Sequence, residues 1–201
     1  MNTGSKLIVL LALAGAGAAV LVLKHLDDAI ADGNRIFATI RGIGIANDGA
    51  ARAAFSAPSV DGQAAALAAA LDDASVSPAD IGFVEGHGTA TALGDPIEVA
   101  ALTRAFREGT QRTGFARLGS IKPTIGHLDT AAGVASVIKT ATALRERILP
   151  PLSNYTGSNP LIGLENTPFV LSGSPAPWER GTEPRRAGVS PLPAAERCRT
   201  R

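Results

Sequence analysis

The sequence predicts an α/β layered fold, and three observations carry that expectation. Short apolar strand candidates alternate with helical patterns along the chain, the signature of strands covered by helices. Hydrophobic residues make up 45% of the chain and charged ones 18%, a balance that excludes a largely disordered polypeptide. A length of 201 residues suits one domain, or two small ones, with a core that needs no staples. With 19 basic against 18 acidic residues the net charge is only +1, which gives no electrostatic case for a nucleic-acid partner. The single cysteine, Cys198, excludes an intrachain disulfide and a cysteine metal cluster.

Taken in order, the first element is the uncharged run Leu7 to Leu23, which follows Lys6. It admits three readings: a signal peptide, with Ala14, Ala16 and Ala18 in A-x-A spacing; a transmembrane helix at the lower limit of length; or a buried core segment. The stretch Gly15-Ala-Gly-Ala-Ala-Val-Leu-Val-Leu-Lys24 reads best as a turn into a buried strand. A short helix is predicted over Leu26 to Ala31, closed by Gly33, then a strand from Arg35 to Ile45 and a turn at Asn47-Asp48-Gly49. Pro58 precedes a helix from about Val60 to Ala74, rich in Ala and Leu. Ser77-Pro78 marks a turn and Ile81 to Glu85 an apolar strand.

Asp95-Pro96-Ile97-Glu98 has the form of a helix start: Asp95 as cap, Pro96 in the first turn and Glu98 completing a capping box, with the helix running to about Arg107. Arg117 to Ile121 is another strand, and Thr130 to Arg145 a long helix of small and β-branched residues, expected to be buried over most of its surface. From Pro150 to Pro184 the chain is rich in Pro, Asn and Gly, with one short strand near Phe169 to Ser172.

Three histidines are present. His25 has no polar cluster around it and reads as a surface or boundary residue. His87 and His127 differ, for each follows a predicted strand and is flanked by glycine, where backbone and ligand can approach closely. Lys122 precedes His127 across the rigid Pro123-Thr124-Ile125-Gly126 connector, which can turn both side chains toward one point. Packed loop histidines bonded to backbone remain an alternative for each. So does a zinc site built from the two histidines with Asp95 or Glu85, although no H-x-x-x-H spacing supports it. Neither glycine-rich nucleotide-binding pattern, G-x-x-x-x-G-K-[ST] or G-x-G-x-x-G, occurs.

Two segments carry a resemblance to a known family. Glu85-Gly-His-Gly-Thr-Ala-Thr-Ala-Leu-Gly-Asp-Pro-Ile-Glu98 is similar to the E-x-H-G-T-x-T-x-x-G-D-P-x-E motif of β-ketoacyl synthases. Ser120-Ile-Lys-Pro-Thr-Ile-Gly-His-Leu-Asp-Thr-Ala-Ala-Gly133 is similar to their S-x-K-x-x-x-G-H-x-x-x-A-A-G motif. The nearest likeness is to the ketosynthase domain of modular polyketide synthases. Pro150-Pro151, Asn159-Pro160, Trp178 and Arg185 to Ser190 fall in the family's order. The strand from Gly15 to Lys24 resembles the family's G-E-G-A-G-V-V-V-L-K strand, which favours a core strand over a signal peptide. A membrane role for residues 1–14 stays open.

The resemblance divides the chain into residues 1–14, which it does not cover, a partial ketosynthase domain over 15–190, and a divergent tail over 191–201. It implies a thiolase-like fold, of which this chain is the C-terminal half of an αβαβα layered domain. It implies a decarboxylative Claisen condensation between an acyl thioester and a malonyl-type extender carried on acyl carrier protein, with His87 and His127 as oxyanion donors and Lys122 as the support of His127 and the local hydrogen-bond network. The phosphopantetheine arm of that carrier enters as substrate, and neither a bound cofactor nor a metal is expected. The implied partners are acyl carrier protein, the missing N-terminal ketosynthase half and a second copy in a homodimer. The family's nucleophilic cysteine lies in a T-A-C-S-S motif upstream of the strand matched here, and Cys198 sits in unrelated sequence. The chain is therefore expected to be inactive alone, the alternative being a non-catalytic remnant or scaffold that binds carrier protein or other parts of a synthase. A cytoplasmic location is expected, the alternative being membrane association or export through Leu7 to Leu23.

Overall fold

A computed structural model describes residues 6–15, 18–46 and 59–191. The expected turn at Asn47-Asp48-Gly49, Pro58 and Cys198 lie outside the described residues. Strand β1 (Lys6–Gly15) pairs antiparallel with β2 (Ala18–His25) and, on its other edge, with β3 (Ala38–Ile40), giving a three-stranded sheet in the order β2-β1-β3. Between β2 and β3 lies α1 (Leu26–Ala31), ended as expected by Gly33 at φ +64°.

Helix α2 (Val60–Ala74) starts at Ser59, whose side chain accepts from the Gly62 N–H. A 3₁₀ turn at Pro78–Asp80 leads into β4 (Ile81–Glu85), then α3 (Gly94–Arg107) and β5 (Ala116–Gly119). One turn of helix, α4 (Lys122–Ile125), and a 3₁₀ turn at Asp129–Ala131 precede α5 (Ala132–Glu146). The remaining strands are short: β6 (Ile148–Leu149), β7 (Phe169–Val170), β8 (Ala176–Pro177) and β9 (Arg186–Val189). The central sheet, β7-β5-β4-β9, is parallel throughout, and β6 pairs antiparallel with β8.

Alternation along β4 sends its side chains to two cores. On one face Val84 and Leu118 pack with Val99, Leu102 and Phe106 of α3, and α2 adds Leu67 and Leu71. On the other face Phe83 packs with Ala143 of α5 and with Trp178, whose ring meets Phe83 edge-on at 6.1 Å. Helix α5 also contacts β2 and β3, so it lies between the two sheets. Only Thr142, Arg145 and Glu146 of α5 are exposed, as its composition led one to expect.

Three expectations need correction. Within the stretch Gly15 to Lys24 the strand that forms is β2, but its apolar side chains are not enclosed: Val20 is 53% exposed and Val22 46%. Helix α5 covers one face of this sheet, and residues 20 and 22, two apart on a strand, share a face. The described parts of the run Leu7 to Leu23 belong to two paired strands, β1 and β2, and among the described residues no helix is long and apolar enough to cross a membrane. The predicted strand Arg35 to Ile45 is reduced to Ala38–Ile40, because the chain then passes directly against α2. A Cβ on Gly44 would lie 1.8 Å from the Ala66 carbonyl oxygen, and one on Gly42 2.3 Å from that of Ala70. These glycines serve close backbone approach to a helix in place of sheet pairing.

Candidate active site

Glu85, the last residue of β4, pairs in register with Gly119, the last residue of β5. The chain leaves both strands at the same edge, where open parallel sheets bind ligands. His87 stands two residues beyond β4, and α4 with its flanks places Lys122 and His127 beyond β5. The imidazole rings of His87 and His127 meet edge to face, centroids 5.2 Å apart at 80°. Lys122 Nζ lies 3.3 Å from His87 Nδ1 and donates to the His87 carbonyl oxygen. All three candidate residues thus converge, while His25 ends β2 in the other sheet.

The His87 loop is held from below by α3. Glu98 is 5% exposed, and its two oxygens accept from the backbone N–H groups of His87 at 2.6 Å and Gly88 at 2.9 Å. Asp95 accepts from the Ala90 N–H at 3.1 Å. These carboxylates were expected to form a capping box. The helix begins at Gly94 instead, with Leu93 in the cap position and no side chain capping it, while Thr91 in the preceding turn accepts from the Gly94 N–H at 3.0 Å. Side chains in a first turn lean toward the helix N-terminus, which points Asp95 and Glu98 at the incoming loop. Burial raises the pKa of Glu98, and the two N–H bonds oppose it. Gly88 sits at φ +46°, and a Cβ there would lie 2.8 Å from the Ser120 Cβ, so the loop closes onto β5 only with glycine at this point.

The hydrogen bonds also fix the tautomers. An ammonium only donates, so Lys122 leaves His87 Nδ1 as an acceptor and its proton on Nε2. The Asp129 N–H donates to His127 Nδ1 at 3.0 Å, so that ring too carries its proton on Nε2. Asp129 adopts φ +50° to do so, a conformation side chains seldom take. Burial, then the Lys122 charge, then His127 lower the His87 pKa from 6.5 to about 4, so the ring is neutral near pH 7. Lys122 is buried too, and desolvation lowers its pKa against the pull of Glu98, Glu85 and Asp95.

The zinc alternative finds no donor set here. Asp95 is committed to the Ala90 N–H and Glu85 to Lys139, and among the described residues no three His, Cys, Asp or Glu side chains converge. Sequence reasoning missed Glu98 as a loop clamp, Asp129 as a holder of His127, and Lys139. The last had a signal: it is the one charge in α5 before the final turn.

The family model of the β-ketoacyl synthase C-terminal domain matches residues 37–156. The chain belongs to that family. Over 176 residues it is 45% identical to polyketide synthase PksN of Bacillus subtilis strain 168, a match covering 88% of this chain and 3% of PksN. It is 44% identical over 176 residues to polyketide synthase ThaG of Burkholderia thailandensis, covering 87% of this chain and 3% of that protein. Among solved structures it is similar to ketosynthase twelve of the bacillaene polyketide synthase of Bacillus amyloliquefaciens, with a TM-score of 0.83 and 42% identity. That match covers 87% of this chain and 31% of the ketosynthase. The module 6 ketosynthase of the bacillaene synthase of Bacillus subtilis 168 gives a TM-score of 0.80 at 39% identity. The fold is therefore the thiolase-like fold of ketosynthase domains, and this ketosynthase chain spans about a third of the solved domains it matches.

Proposed function

We propose that this chain supplies the oxyanion-stabilising part of a β-ketoacyl synthase site. The observation that carries the reading is the pairing of two imidazoles, 5.2 Å apart, each with its Nε2 proton fixed by a bond to its own Nδ1. In the reaction proposed, a malonyl-type thioester on the phosphopantetheine arm of acyl carrier protein loses CO2, and the enolate left behind attacks an acyl thioester carbonyl. The cysteine thiolate holding that acyl group departs as the new carbon–carbon bond forms. Negative charge rises on the thioester oxygens during both steps. His87 and His127 are the donors to that charge, and removing one such donor costs about 3 kcal/mol of activation free energy. Lys122 positions His87, and burial together with the Lys122 charge keeps the ring neutral, so it donates without carrying a charge of its own.

The acyl-carrying thiolate is proposed to come from an N-terminal ketosynthase segment, because the only cysteine in these 201 residues is Cys198. In this reading residues 15–190 act as the partial ketosynthase domain in the cytoplasm, with β1 joined to its sheet, the tail 191–201 stands outside the catalytic unit, and a homodimer or the N-terminal half completes the site. Incubation with an acyl thioester followed by intact-mass measurement is expected to show no adduct that survives replacement of Cys198. Slow decarboxylation of a malonyl thioester is expected from the chain itself, falling by about two orders of magnitude in His87→Ala and in His127→Ala. A stable adduct in the Cys198 variant would refute the missing nucleophile, and equal decarboxylation in the wild type and both histidine variants would refute the donor role.

A further inference from the structure

Glu85 ends β4 immediately before the glycine that opens the His87 loop, and its side chain is fully buried. Its Oε2 accepts from Lys139 Nζ at 2.7 Å, while Oε1 makes no hydrogen bond of ordinary geometry among the described residues, and the Ile121 backbone N–H also favours the charged carboxylate. Lys139 reaches it from α5, 15% exposed, with the ammonium 5.7 Å from the centroid of the Phe83 ring. The other cation bearing on this carboxylate is Lys122, whose charge acts on Glu85 across the end of the sheet.

We infer that Lys139 is a positioning residue: by engaging Glu85, it leaves the Lys122 ammonium to His87. The acceptors that Lys122 uses at His87, a carbonyl oxygen and a ring nitrogen, are neutral. A hydrogen bond to a carboxylate is roughly twice as strong as one to a neutral acceptor. A buried carboxylate that has lost its counter-charge is therefore the stronger attractor for a lysine on a flexible stem. Lys139 satisfies Glu85 from the opposite layer, and that satisfaction decides where Lys122 points. Among the described residues, the titratable groups facing His87 include Lys122 on α4, Asp95 and Glu98 on α3 and His127 beyond α4, and Lys139 is proposed to act on it through Glu85. The significance for catalysis rests on the donor role proposed above, but the test reads the imidazole itself and does not depend on that role.

The full chain is labelled with ¹⁵N-histidine, the His87 Nδ1 signal is assigned by its loss in His87→Asn, and pH titrations are recorded on folded protein. In Lys139→Met the signal is expected to leave its wild-type position and the His87 midpoint to rise by about one pH unit as the Lys122 charge withdraws. Lys139→Arg should keep the wild-type signal. In Lys139→Met combined with Glu85→Gln the attracting charge is gone, and the signal should return to the wild-type position. An unmoved His87 in folded Lys139→Met overturns the inference, as does an equal displacement in the single and double variants, which is what a merely structural ion pair would give. Should Lys139→Met not fold, Glu85→Gln alone decides: it must leave His87 at its wild-type position, and a shift there overturns the inference.

Discussion

The loops that carry His87 and His127 face each other, yet they are built in opposite ways. The His87 loop is half-buried, with two consecutive N–H groups clamped by one buried carboxylate and its carbonyl oxygens approached by Lys122 and Ser120. The His127 loop is exposed from Thr124 to His127, and its ring is oriented by one backbone N–H two residues on. The difference lies in which elements stand behind each loop. The first is backed by the start of α3, a return of the chain that folds Asp95 and Glu98 under it. The second runs from a single helical turn into a 3₁₀ turn, and the later chain holds it only near its start, through Ser153 on the Thr124 hydroxyl and the Asn154 amide on the Pro123 carbonyl. One imidazole thus sits on a loop clamped by buried carboxylates, while the other is oriented by the backbone beside it on a loop held by exposed polar contacts.

The sharpest way to break that contrast is Glu98→Ala. It leaves two N–H groups without their charged acceptor in a buried place, and is expected to cost about 3 kcal/mol of stability in a denaturant titration. It should also disorder His87 while His127 keeps its contact with Asp129. Equal loss of order in both histidines, read by their NMR signals, would mean that the loops are one unit and the contrast is false. Gly88→Ala should cost less, about 2 kcal/mol, from the positive φ and the close approach to Ser120. A variant as stable as the wild type in the same titration would show that the loop closes onto β5 without needing glycine.

Much of this was legible in the sequence, and the parts that were not share a cause. Strand β4 and helices α1 and α2 have the expected bounds because each is defined by local pattern and a local stop signal. The convergence of His87 and His127 was legible because their glycine-flanked positions follow strands, and that of Lys122 because a rigid connector joins it to His127. Glu98 was read as a cap because local rules assign a D-x-x-E at a helix start to the helix itself. Its real partners are the N–H groups of a loop ten and eleven residues away, a tertiary contact no helix rule contains. Strand β9 escaped notice for the same reason: Arg186–Val189 has little apolar alternation, and its pairing partner β4 lies about a hundred residues earlier. The exposure of Val20 and Val22 was likewise unreadable, since a β-branched run has the same sequence whether or not a second layer covers it.

The smallest expected effect concerns protons. The folded His87 pKa of about 4 lies below its ordinary value of 6.5, so between those values the unfolded chain holds more proton at this site. Its contribution is therefore complete above pH 6.5 and is lost as pH falls toward 4. The loss amounts to about 1 kcal/mol once solvent screening at a half-buried ring is allowed for. Buried Glu85 and Glu98 run the other way: their raised values mean that the folded chain holds the extra proton above about 4.5, so their contribution weakens as pH rises. The wild-type curve alone mixes these opposing slopes. Subtracting the curve of His87→Asn isolates the histidine, and the difference should grow in favour of the wild type from pH 4 to 6.5 and then level off. A difference that stays flat from pH 4 to 6.5 would mean that the clamped loop does not bury this ring against its charged form.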